Sequence, residues 1–181
     1  MSWRRVLVVG GLLGWATGCG YRFTSRAEGL PGGVRSVCAP IFRNSTAEPG
    51  LEVAFTRVFR QELLQAGVLG ASGSCEASVE GVVENVSSAP TIVTDPVYEG
   101  NVLKTPSQLA SYRAYVGVRL RLIRDGQVLA ETSVSGNEDF LPGTAGVSGD
   151  ILEAEANRQA ALSRLAETLM REGYERLASN W

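Results

Sequence analysis

An export leader that ends at a cysteine constrains this chain more than any other feature. It decides the compartment in which the chain folds and the end by which it is held. Arg4 and Arg5 precede an apolar run over residues 6–15. That run has ten residues, and a helix that crosses a bilayer needs about 20. The run fits the apolar region of a secretory signal instead.

Ala16, Thr17 and Gly18 then lead to Cys19. Small side chains before a cysteine form the pattern of a bacterial lipobox. They let the backbone enter a peptidase site, and the thiol is the nucleophile that accepts a diacylglycerol. Two or more acyl chains give stable anchoring, at about 0.8 kcal/mol per buried methylene. The residue after the cysteine is Gly20 rather than Asp, which favours the outer membrane. The expected division is therefore a signal peptide over 1–18, a lipidated N-terminus and tether over 19–33, and a folded domain over 34–181. The tether, rich in glycine, reaches at most about 45–50 Å.

The whole chain has 181 residues, 44% of them hydrophobic and 20% charged, which suits one globular domain. Its net charge of -2 becomes about -4 once Arg4 and Arg5 leave with the leader. A nucleic-acid binder would need a basic footprint. The chain has no histidine, so the usual general base, zinc ligand and pH switch are missing. No catalytic residue, metal or cofactor is expected, and an enzyme reading is disfavoured.

Periodicity then orders the domain. Residues 34–41 read as a strand ending at Pro40, and 51–66 as a helix. Leu51, Phe55, Val58, Phe59, Leu63 and Ala66 lie on one face of that helix. Residues 77–86 form a second strand. Residues 87–111, with Pro90, Pro96 and Pro106, read as a long loop, although residues 91–93 could extend the strand past Pro90.

Residues 112–123 and 127–136 form a hairpin. A two-residue Asp125-Gly126 turn would set Leu120 opposite Glu131 and mix the faces. A three-residue loop, Arg124-Asp125-Gly126, instead pairs Leu122 with Val128, Leu120 with Ala130, Val118 with Thr132 and Val116 with Val134. It also pairs Arg119 with Glu131.

After a loop over 143–149, Asp150 and Glu153 suit a helix start. Leu162, Leu165, Ala166, Leu169, Met170, Tyr174 and Leu177 then form a buried stripe. The order β-α-β-β-β-α implies an α+β two-layer sandwich, with two helices on one face of a four-stranded mixed sheet.

Several segments, in order, resemble one known family. They are Cys19-Gly20-Tyr21-Arg22-Phe23, the strand residues Val37 to Asn44 with Pro40, Phe42 and Asn44, and Pro49-Gly50-Leu51-Glu52. Ser111-Tyr112-Arg113 and Asn157-Arg158-Gln159-Ala160-Ala161 follow. Together they resemble the LptE family of lipopolysaccharide-assembly lipoproteins. The resemblance covers essentially the mature chain and implies the same two-layer fold. It also implies a plug inside the outer-membrane β-barrel LptD, help in assembling that barrel, and binding of lipopolysaccharide during its delivery to the outer leaflet. The implied place is the periplasmic side of the outer membrane.

On that reading the phosphates of lipid A are candidates for guanidinium forks. Arg113, Arg119 and Arg121 share one face of the third strand, Arg124 stands in the adjoining turn, and Lys104 lies in the proline-marked loop. The competing reading is a polar face with Arg119 held by Glu131. Cys38 and Cys75 could pair in an oxidising compartment, or stay as buried thiols. The alternative function is an adaptor lipoprotein that regulates a cell-wall synthase.

Overall fold

Apolar residues alternate along three long strands and recur every three to four positions along two helices, and one core joins the two periodicities. The computed structural model describes residues 30–71, 73–93, 95–105, 109–141 and 151–179. The signal peptide, Cys19, most of the tether, the 143–149 loop and the Asp150 helix start lie outside these.

The elements in chain order are β1 (Val37–Cys38), β2 (Arg43–Asn44), α1 (Leu51–Gln65), β3 (Ala77–Val93), β4 (Val97–Glu99), β5 (Val102–Thr105), β6 (Leu109–Arg124), β7 (Gln127–Phe140) and α2 (Ile151–Ala178). The main sheet runs β1-β3-β6-β7, with β2 beside β1 on the same partner strand. β1 and β2 pair parallel to β3. β6 pairs antiparallel with both β3 and β7. The sheet thus has four strand positions, the first filled by two short pieces.

Pro40 explains that break. It has no N–H for a ladder, and the backbone around it turns to α1 for partners. Arg60 Nε donates to the Ala39 carbonyl at 2.8 Å, and the Phe42 N–H donates to Thr56 Oγ1 at 2.9 Å. Val37 faces Ala77 while Arg43 faces Val82, so the interruption absorbs one residue.

The long loop expected over 87–111 is mostly strand. β3 continues to Val93, β6 begins at Leu109, and β4 and β5 form a small hairpin between them. Beyond Val83, β3 pairs only with β6, so Pro90 sits on an edge, beside a register shift at Pro90/Ile92. An edge tolerates a missing donor.

The expected hairpin register is also corrected. Arg124 pairs directly with Gln127, leaving a two-residue turn in which Asp125 has φ 51° and Gly126 has φ 78°. Both left-handed residues are what a type I′ turn requires. The face mixing is removed by a bulge: Ile123 faces Val128 and Leu122 faces Ala130, so Leu129 is the extra residue. Leu120 then faces Thr132, Val118 faces Val134, and Arg121 rather than Arg119 faces Glu131.

Both helices cover one face. Phe55, Phe59 and Leu63 of α1, and Leu162, Leu165, Leu169, Met170 and Leu177 of α2, are buried against Val79, Val83, Val116, Val118, Leu120, Leu122 and Val134. Phe42 reaches the same core and packs on Phe59, with ring centroids 5.6 Å apart. Tyr174 is only partly buried, and Ala161 and Gly173 join the α2 stripe.

Candidate functional site

The sheet face away from the helices carries the charged residues. Along β6 the outward positions are Arg113, Tyr115, Gly117, Arg119 and Arg121. Their lateral neighbours on β7 are Asp139, Asn137, Ser135, Ser133 and Glu131. On β3 a shift between Val83 and Asn85 puts Glu84 and Asn85 consecutively on this face. The Asn85 side chain lies over Gly117, where a Cβ would meet it at 2.9 Å.

Three arginines form a row, and each already holds a carboxylate. Arg113 grips Asp139 through two bonds of 2.7 and 3.0 Å. Hydrogen bonding between them lowers the Asp139 pKa and raises that of Arg113. Arg121 grips Glu131 at 2.9 and 3.4 Å. Arg119 bonds Glu84 and lies 3.7 Å from Glu131. Its buried Nε has no partner.

The other two expected residues stand apart. Arg124 Nη1 donates to the Gly32 carbonyl at 3.0 Å and holds the incoming chain at the turn end of the sheet. Lys104 pairs with Glu99 at 3.0 Å, in the β4–β5 hairpin at the far end of β6. That hairpin exposes Val97, Tyr98, Val102 and Leu103.

Arg43 was missed in the sequence. Arg43 faces Val82, and Val82 faces Arg119, so a lateral row brings Arg43 toward Arg119. A groove of about 360 Å³ is lined by Pro40, Ile41, Arg43, Glu80, Arg119 and Arg121. Only the parallel register of β2, hidden by the break at Pro40, reveals this neighbour.

A second charged cluster ties α2 to the loop before α1. Arg158 grips Glu48 with bonds of 2.8 and 2.6 Å, and the two side chains are only 19% and 21% exposed. Hydrogen bonding to Arg158 lowers the Glu48 pKa. Glu48→Gln should therefore cost about 1–2 kcal/mol near neutral pH. A lowered pKa means that this contribution is complete above the ordinary carboxylate range and vanishes as pH falls through the lowered value. Urea titrations of both proteins should show a gap at about pH 7 that narrows once the pH falls below the ordinary carboxylate range. A gap that persists in acid contradicts the assignment.

Cys38 and Cys75 are joined as a disulfide, with Cα atoms 5.6 Å apart. Among the described residues no group of three or more metal-binding side chains occurs, and no helix is long and apolar enough to cross a membrane.

A family model described as LptE, lipopolysaccharide-assembly, matches residues 34–177. A search of curated proteins returns no match. Among solved structures, rare lipoprotein B from Shewanella oneidensis is 12% identical, with a TM-score of 0.50 over 78% of this chain and 95% of that one. A minor lipoprotein from Acinetobacter baumannii is 10% identical, with a TM-score of 0.45 over 80% of this chain and 95% of that one. A PelC dodecamer subunit from Paraburkholderia phytofirmans is 18% identical, with a TM-score of 0.45 over 80% and 88%. The likeness to rare lipoprotein B is one of fold.

Proposed function

Since the chain belongs to the LptE lipopolysaccharide-assembly family, we propose that it is an outer-membrane lipoprotein, anchored through Cys19, that plugs and helps assemble the LptD β-barrel and binds lipopolysaccharide in transit. The family is one of assembly proteins rather than enzymes. The observation that carries the reading is the extent of the match, which takes in every element from β1 to nearly the end of α2.

The polar sheet face supports the ligand part of the reading. Lipid A phosphates would meet Arg119 and Arg121 in the groove beside Arg43, exchanging with the carboxylates of Glu84 and Glu131. Arg113, Arg124 and Lys104 are each held elsewhere, so their contribution is the smaller one.

A detergent pull-down of the native lipoprotein tests the partner: a large β-barrel should co-purify. Recovery of a cell-wall synthase instead would favour the adaptor alternative. Arg119→Ala with Arg121→Ala should weaken lipopolysaccharide binding by about tenfold, as expected when charged hydrogen bonds are lost. Unchanged affinity would remove the groove from the ligand path.

A further inference from the structure

The solvent side of α1 mixes exposed aliphatic side chains with arginines. Val53, Arg57, Arg60 and Leu64 recur at helical spacing, so they form one narrow stripe opposite the buried Phe55 and Phe59. Val53 is 57% exposed and Leu64 66% exposed.

The stripe holds no acid. The two carboxylates of α1 are engaged elsewhere: Glu52 accepts from Asn44 at 2.9 Å, and Glu62 lies 4.0 Å from Arg171. Charge pairing sets the region apart further. Among the described arginines, 113, 119, 121, 158, 164, 171 and 176 each face a carboxylate. Arg35, Arg43, Arg57, Arg60 and Arg124 do not, and two of these five, Arg57 and Arg60, stand in the stripe itself. Two cations without a carboxylate partner thus stand between the exposed aliphatic side chains Val53 and Leu64.

We infer that this stripe is a docking surface for the anionic phospholipid headgroups of a bilayer, with Val53 and Leu64 entering the interface and Arg57 and Arg60 meeting phosphates. Cations set between exposed aliphatic side chains on a surface helix match the mixed composition of an interfacial helix. Charge complementarity selects an anionic surface, with roughly a fivefold gain in binding per arginine near it. Location fits as well. The segment just after α1 is bonded to β1, with the Val37 N–H on the Val68 carbonyl at 2.8 Å and the Gly70 N–H on the Val37 carbonyl at 2.9 Å. The C-terminal end of α1 therefore lies where the chain enters the fold. Cys19 precedes Leu30 by eleven residues, a reach of at most about 36–40 Å. This proximity rests on the anchor proposed above, and tethering would raise the effective concentration of a weak surface contact. The lipid-docked state is then the one held before the barrel is entered.

The experiment uses the mature lipidated chain carrying Gln61→Cys, beside the stripe, labelled with an environment-sensitive fluorophore. Ser163→Cys on the exposed side of α2 is the control. In vesicles containing phosphatidylglycerol, lipid-borne quenchers should reach the first label and not the second. In phosphatidylcholine alone they should reach neither. Adding Arg57→Gln and Leu64→Ser, both at exposed positions, should reduce the docked-to-undocked ratio by about tenfold. Equal quenching in both lipids, or quenching that survives the double substitution, overturns the proposal. So does protection of the Gln61→Cys label that appears only with a co-purified protein. Flotation separates the anchor from the stripe. A chain that fails to float on neutral vesicles refutes the anchor. Its flotation on phosphatidylglycerol vesicles, lost in the double variant, would still uphold the stripe, and no flotation there would refute it too.

Discussion

Gly81→Ala should destabilise the domain by about 2–3 kcal/mol, because the new methyl has no space to occupy. A Cβ at Gly81 would lie 2.4–2.6 Å from three ring atoms of Phe42. Phe42 cannot retreat. It is 3% exposed, it packs on Phe59, and its N–H is held by Thr56. The break at Pro40 lets Phe42 turn inward over β3, and Gly81 is the floor on which the ring rests. Phe42→Leu alone should cost about 1–2 kcal/mol through lost packing. In that background Gly81→Ala should become much milder, since a smaller side chain frees the site. A double-mutant cycle by urea denaturation reads the coupling directly. Additive costs would show that the clash is relieved elsewhere.

Loss of the Cys38–Cys75 bridge is the second large effect. The bridged residues are 37 apart in sequence, and closing a loop of that length removes about 3–4 kcal/mol of unfolded-chain entropy in the loop-closure account. Cys38→Ser with Cys75→Ser should lower stability by about 2–4 kcal/mol, moving the urea midpoint down by roughly 1–2 M. The bridge ties β1, which has only two residues, to the segment leading into β3. A strand that short has little ladder of its own, so the edge nearest the chain entry should loosen first. Reductant added to the unaltered protein should reproduce the loss. Two free thiols in that protein under denaturing, non-reducing conditions would sink the prediction.

The helices and their buried faces were readable because each face repeats over several turns, and burial demanded it. Phe55, Phe59 and Leu63, and the α2 run from Leu162 to Leu177, lie in the core as their spacing implies. The ribbon of β3 and β6 beyond the core was only partly readable: an extension over residues 91–93 stood open and β3 does run to Val93, but residues 87–91 are exposed and carry no alternation. The hairpin register failed for a different reason. Apolar residues had to face apolar partners, and an unbroken ladder meets that demand only with the longer loop. The bulge at Leu129 satisfied the same constraint while keeping the tighter turn. At the candidate site the β6 arginines could be placed on one face. Their partners could not: Glu84 arrives through a bulge and Arg43 through a parallel register, and neither leaves a periodic trace.

The paired row on the outer sheet face bears on kinetics. Arg113 with Asp139, Arg119 with Glu84 and Arg121 with Glu131 sum to no net charge. Such a face projects little field beyond a Debye length of about 8 Å at physiological salt. An anionic ligand would approach it unsteered, and its association rate would respond weakly to ionic strength. Discrimination would then reside in residence time, set by how well a ligand replaces carboxylates that already fit.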